Sequence, residues 1–238
     1  MSLSQLKEYL LLREKYITIY SILNQHNLPQ DILQYITLFN DLNITLYHDF
    51  DKDIKSILNY VKSRRTLTPD AYDLLNYIIV VFINTIIRQS IVIMEYGRRK
   101  RITSNDIEYA LGLYPLKNSV LINAMIQNGH DSVENVKQGS GSRATKADTL
   151  MSPPTVEKYI RLYLKPIDDK IKNVNKKYDW SMRDIQVEKN AVIYLTGVTD
   201  GLIEKILSIN LKVINADDLL KFCEANLEIK SILLELFI

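Results

Sequence analysis

Apolar residues recur along this chain at helical spacing, and the breaks between the periodic runs divide it into three segments. In the first, Leu6, Leu10, Ile17, Tyr20 and Leu23 form one amphipathic stripe that ends near Asn24. Pro29 then takes a first-turn position, with Ile32, Leu33 and Ile36 on the inward face of a second short helix. Residues 1–50 therefore read as a helical extension. The middle segment, residues 51–138, reads short helix, long helix, short helix. Its residues 53–62 carry Ile54, Ile57, Leu58 and Val61 on one face, and Ser63-Arg64-Arg65-Thr66 interrupts them. Thr68-Pro69 opens the long helix, with Thr68 as N-cap and Pro69 at the first helical position. Nothing breaks it before Tyr96, where Gly97 supplies the stop. After a basic run and Ile102, the residues Thr103-x-x-Asp106 have the form of a capping box and start a third helix reaching Gly112.

The same order returns in residues 154–238. Residues 155–164 predict a short helix, followed by a long loop that holds Lys176 and Lys177. A long helix is expected from about 184 to 209, then Lys212-Val213-Ile214 and a second capping-box start at Asn215-x-x-Asp218. Ile102-Thr103 and Ile214-Asn215 stand 112 positions apart in matching roles, which is the signature of a duplicated module. Residues 139–153, opening with Gly139-Ser140-Gly141-Ser142, form the flexible linker, a composition that an engineered joint would share.

Residues 77–94 are apolar on almost every side, so this stretch is either a membrane span or the buried spine of a helical core. Asn84, Arg88 and Gln89 near its middle argue for the spine, since one arginine costs about 2.5–3.5 kcal/mol on insertion scales. With 7 Gly and 6 Pro in 238 residues, the fold class is all-α rather than many-stranded.

Composition narrows the chemistry. Cys223 is the single cysteine, so no internal disulfide is expected, and His26, His48 and His130 lie too far apart for a metal set. No Gly-rich phosphate loop, nucleophile-base arrangement or carboxylate–histidine cluster is visible, so the reading is no enzyme, no cofactor, no metal and no small-molecule substrate. No signal peptide is expected at the N-terminus. The net charge is only +2, with −2 in residues 1–50, +3 in residues 51–138 and +1 in residues 139–238. Any nucleic-acid contact must therefore rest on local clusters, chiefly Arg98-Arg99-Lys100-Arg101.

From Leu67 to Thr103 the middle segment resembles the type-two-B core histone without a gap. The matching features are Leu67-Thr68, Asn76, Tyr96, the basic turn and Ile102-Thr103-Ser104-x-x-Ile107, continuing through Tyr114-Pro115-Leu116 to Lys137. The last segment is similar to the type-two-A core histone through Tyr194-Leu195-Thr196, Val213-Ile214 and Asn226-x-Glu228-x-Lys230-x-x-Leu233, with a longer loop after its first helix. Two such histones in this order resemble the histone doublets of giant DNA viruses of the marseillevirus kind. Leu28-Pro29-x-Asp31-Ile32-Leu33-x-x-Ile36 also looks like the opening of an F-box, the plain alternative being an extension that packs on the rest.

The resemblance implies tandem histone folds paired in an intramolecular handshake dimer, with the helical extension at residues 1–50. A linker of about fifteen residues reaches roughly 20 Å and gives an effective concentration near millimolar, so pairing needs no free partner. The handshake would set the first loop of each fold beside the second loop of the other. The implied DNA-binding residues are then Arg64, Arg65, Arg98, Arg99, Lys100 and Arg101 from the first fold. Lys176, Lys177 and Lys212 come from the second, and Thr68 starts a helix that offers N–H donors to phosphate. An arginine such as Arg99 is expected to enter the minor groove. The implied partners are double-stranded DNA and the tetramer-forming histone pair, with no membrane. The implied locations are the virion and the host nucleus or viral factory. Two departures stand out: the extension is acidic where the family has basic tails, and Val192, Gly197, Asp200, Asn226, Leu227 and Glu228 largely lack the family's acidic docking patch. The alternative is a histone-fold interaction module, like a transcription-factor subunit, with little direct DNA binding.

Overall fold

The computed structural model describes residues 49–61, 65–112, 119–138, 149–177, 185–230 and 232. Residues 1–48 of the extension, with the F-box-like run, and residues 139–148 of the linker lie outside them. The fold is all-α. From the middle segment come α1 (Asp51–Tyr60), α2 (Pro69–Tyr96), α3 (Ser104–Gly112) and α4 (Val120–Gln138). From the last come α5 (Pro153–Lys177), α6 (Lys189–Ile206) and α7 (Ala216–Ala225). Strand pairing among the described residues is confined to β1 (Thr66–Leu67), β2 (Arg101–Ile102), β3 (Gln186–Val187) and β4 (Val213–Ile214).

These short strands join the two units reciprocally. The connection before α2 pairs, in parallel, with the connection after α6, setting Thr66 opposite Val213 and Leu67 opposite Ile214. The connection after α2 pairs with the one before α6, setting Arg101 opposite Gln186 and Ile102 opposite Val187. The flanking bonds repeat as well. Thr66 N–H donates to the Lys212 carbonyl and Thr68 N–H to that of Ile214, while Gln186 and Glu188 donate to the carbonyls of Lys100 and Ile102. Each pair buries one isoleucine completely, Ile102 at one end and Ile214 at the other.

Helix α2 is the spine. By length and composition it could cross a membrane, but 67% of its most apolar window is buried inside the protein. Its polar residues have partners there. The Asn76 side chain accepts from Phe50 N–H and donates to Asp51, both at 2.8 Å, which pins the start of α1. Asn84 accepts from the Tyr159 hydroxyl of α5 at 2.5 Å. One core takes residues from both units, with Phe50, Phe82, Tyr159 and Tyr194 among its largest fully buried side chains.

Helix α4 packs closely on α6 along a seam of small residues. A Cβ on Gly197 would stand 2.3 Å from Ser132 Oγ and 2.6 Å from the Asn128 carbonyl, and one on Gly129 would stand 2.8 Å from the Tyr194 ring. At the other end of α4, Glu228 accepts from the Ser119 hydroxyl at 2.8 Å and from Leu121 N–H at 3.4 Å, acting as a cap from outside the helix.

Three sequence expectations change. The first helix of the second unit is not short: α5 has 25 residues and runs through Pro166, so the expected long loop is largely helix. Pro166 lacks one N–H, but helix-forming residues on both sides carry the chain past it. Helix α6 spans 18 residues rather than 184–209. Gln186 and Val187 are taken by β3 at its start, and Leu207 caps its end. At the end of α2 the left-handed residue is Arg98, with φ of 52°, and not Gly97. Arg99 N–H returns to the Met94 carbonyl at 3.0 Å, the long bond of a helix-ending Schellman turn with Arg98 in the position usually held by glycine.

Candidate nucleic-acid interface

The paired connections place the sequence-predicted cations at two opposite ends of the spine helix. At the β2–β3 end lie Arg98, Arg99, Lys100 and Arg101, all exposed. Their roles differ. Arg99 makes a two-pronged ion pair with Asp106 of α3, through Nη1 at 2.8 Å and through Nη2 to the second carboxylate oxygen. Asp106 is 1% exposed and also accepts from Thr103 N–H at 2.8 Å and from the Thr103 hydroxyl at 2.9 Å. Burial alone would raise this carboxyl, but the Arg99 guanidinium and the Thr103 bonds outweigh it and hold the group below the usual 3.8. The same contact raises Arg99 above its ordinary value. The guanidinium expected in the minor groove is thus committed within the protein. Gly97 makes room for it, since a Cβ there would stand 2.9 Å from Arg99 Nε.

Arg101 lies along β2 with its Nε donating to Gln186 Oε1 at 2.8 Å, and no ion pair among the described residues engages Arg98, Lys100 or Arg101. These three side chains are exposed at and just after the left-handed turn at Arg98. Across the strand pair, Gln186 and Lys189 are exposed beside them. Only the strand pairing brings those two residues to this end.

The β1–β4 end holds fewer free cations. Arg65 donates from Nη1 to the Leu207 carbonyl at 2.8 Å, a cation set on the C-terminus of α6. Lys212 is exposed, flanked by Leu211 and Val213 at 40% and 59% exposure. The Thr68 hydroxyl donates to the Ile214 carbonyl at 3.2 Å, so it ties β4 to the start of α2. Asp70 in the first turn accepts from Ala216 N–H at 3.1 Å and from N–H groups of its own helix. Those first-turn donors, expected for phosphate, already face a carboxylate. Arg64 lies outside the described residues. Lys176 and Lys177 end α5, and their side chains lie outside the described set.

The two acidic side chains at the positions where the resemblance would place a docking patch are both used internally. Asp200 is 5% exposed and accepts N–H groups of Leu150 and Met151, and Glu228 caps α4. Among the described residues no group of three or more His, Cys, Asp or Glu could hold a metal ion. Comparison of the chain with profiles of known protein families and with curated protein sequences finds no match to either.

Proposed function

We propose that this chain is a fused pair of histone folds, type-two-B-like then type-two-A-like, that packages double-stranded DNA by gripping its backbone. The observation that carries the reading is the reciprocal strand pairing. The connection before each long helix meets the connection after the other one, as in a histone handshake, and one of the two ends carries three exposed cations outside any ion pair among the described residues. Phosphate contacts of this kind fix position without reading bases, so binding is expected to tolerate any sequence and to weaken with salt. The tetramer-forming histone pair would dock on the α2–α3 side, where Val92, Tyr96 and Tyr109 are 50%, 94% and 69% exposed.

The test is reconstitution of the full chain on random duplex DNA with that histone pair, followed by nuclease digestion. A protected fragment of fixed length is expected, and uniform digestion would remove the packaging reading. A second reading, a histone-fold module that pairs with proteins and scarcely touches DNA, is favoured by the β1–β4 end, where Lys212 stands between Leu211 and Val213. It predicts no mobility shift of random DNA by the chain alone.

A further inference from the structure

The outward stripe of α2 holds one cation that has no counter-charge. Asn84, Arg88, Val92 and Tyr96 follow one another at four-residue spacing on that helix. Asn84 is bonded to Tyr159 of α5, and Val92 and Tyr96 are 50% and 94% exposed. Arg88 between them is partly buried, and no hydrogen bond or ion pair engages it among the described residues. Its charge is felt by Tyr163 of α5, and Leu162, one turn on from Tyr159, is 47% exposed along the same edge. Arg88, Val92 and Leu162 therefore make an apolar face around an unpaired guanidinium.

The chain enters the first fold at the rim of that face. Phe50 is fully buried, its N–H donates to Asn76 of α2 at 2.8 Å, and its ring meets Tyr159 edge-on at 5.8 Å. Residues 41–48, shortly before it, lie outside the described residues. Their sequence, Asp41-Leu42-Asn43-Ile44-Thr45-Leu46-Tyr47-His48, holds no lysine or arginine. Leu42, Ile44 and Leu46 alternate with polar residues, so an extended stretch here would have one apolar side. Reach is no obstacle. Asn76 and Arg88 stand twelve residues apart on α2, about 18 Å, and the nine residues from Phe50 back to Asp41 span up to about 30 Å.

We propose that residues 41–48 fold back as an intramolecular cover on this face, with Leu42, Ile44 and Leu46 against Leu162 and Val92 and the Asp41 carboxylate on Arg88. A guanidinium–carboxylate pair gains most where both groups are shielded from water, and Asp41 is the one Asp, Glu, Lys or Arg in the segment. The cover gives the arginine a counter-charge without DNA or a partner chain. Val92 is shared with the face assigned to the tetramer-forming pair, so the segment must leave before that pair docks. This last step alone rests on the packaging reading.

Chymotrypsin cleavage after Tyr47 in the full chain, without DNA, tests the cover. Cleavage of the wild type is expected to be about tenfold slower than that of Arg88→Asp or Asp41→Arg, since a docked segment must open before it is cut. The swap, Arg88→Asp with Asp41→Arg, rebuilds the pair and should restore the slow rate, which a variant that merely misfolds cannot do. Equal rates in the wild type and the single variants, or no recovery in the swap, overturn the proposal. Protection that is lost on dilution would put a second copy's segment on the face. Protection gained only when the tetramer-forming pair is added would give the face to that partner, and either result also overturns it. No DNA enters the measurement, so a failure here leaves the packaging reading standing.

Discussion

The two ends of the molecule share a backbone and differ in chemistry. At one, the residues after the long helix are Arg98, Arg99, Lys100 and Arg101; at the other, the residues before β4's buried isoleucine are Asn210, Leu211, Lys212 and Val213. Both runs lend a lysine carbonyl to the opposite strand, bury an isoleucine at 0% exposure and lead into a capping box, Thr103 with Asp106 or Asn215 with Asp218. The pairing frame thus needs only the isoleucine, the cap and the backbone. Most of the basic run is extra to that frame, but Arg101 bonds Gln186 across the strand pair and, at the other end, Arg65 bonds the Leu207 carbonyl. Only the first end adds the extra parts, an arginine locked to its cap and three cations facing out.

The largest difference should appear in stability. Asp106→Ala removes a buried carboxylate from a two-pronged arginine and from a helix start at once, an expected loss of about 3 kcal/mol. Asp218→Ala removes a cap that has Leu211 where the arginine would stand, an expected loss of about 1 kcal/mol. Urea unfolding measures both, and equal losses would mean that the Arg99 pair contributes nothing beyond the cap. The pH dependence has a definite sign. Asp106 is held below its ordinary 3.8, so its contribution is present above that value and drains away as pH falls below it. Asp106→Asn should flatten that acid limb.

DNA binding should divide the ends next. Replacing Arg98, Lys100 and Arg101 together by alanine is expected to lower the slope of log affinity against log salt by about 2.7, at about 0.9 per phosphate contact. Lys212→Ala should lower it by no more than about 0.9. A mobility-shift titration at several salt concentrations reads both. If Lys212→Ala has the larger effect, the DNA path lies over the β1–β4 end and the assignment of ends is reversed.

How much of this was legible beforehand follows the same division. The α2 spine and both capping boxes could be read because each is written in local residues: Pro69 at a helix start, Thr103 with Asp106, Asn215 with Asp218. The basic turn was visible as four cations, but not that Arg99 would turn inward, because its partner is chosen by the fold of α3 against the α2 end. The length of α5 was misjudged because Pro166 reads locally as a stop. Gln186 and Lys189 were missed because only a pairing between distant segments brings them to the cations. Asp200 reads as a remnant of a surface patch, since its burial under Leu150 and Met151 leaves no mark in the local pattern.

The smallest effect separates fold from binding most cleanly. Arg98 holds a left-handed conformation that costs an ordinary residue about 1–2 kcal/mol, and it is the only non-glycine to do so among the described residues. Arg98→Gly relieves that cost, though glycine's greater freedom in the unfolded chain takes part of it back, leaving a net gain of about 0.5 kcal/mol. The same substitution deletes one outward cation, so the salt slope should fall by about 0.9. One change should therefore move stability up and DNA affinity down. Asn210→Gly at the other end, where no left-handed residue stands, should produce neither gain. A protein destabilised by Arg98→Gly would show that the arginine side chain supports the turn. Its geometry would then belong to the frame, and the strain could no longer be read as the cost of aiming a cation at DNA.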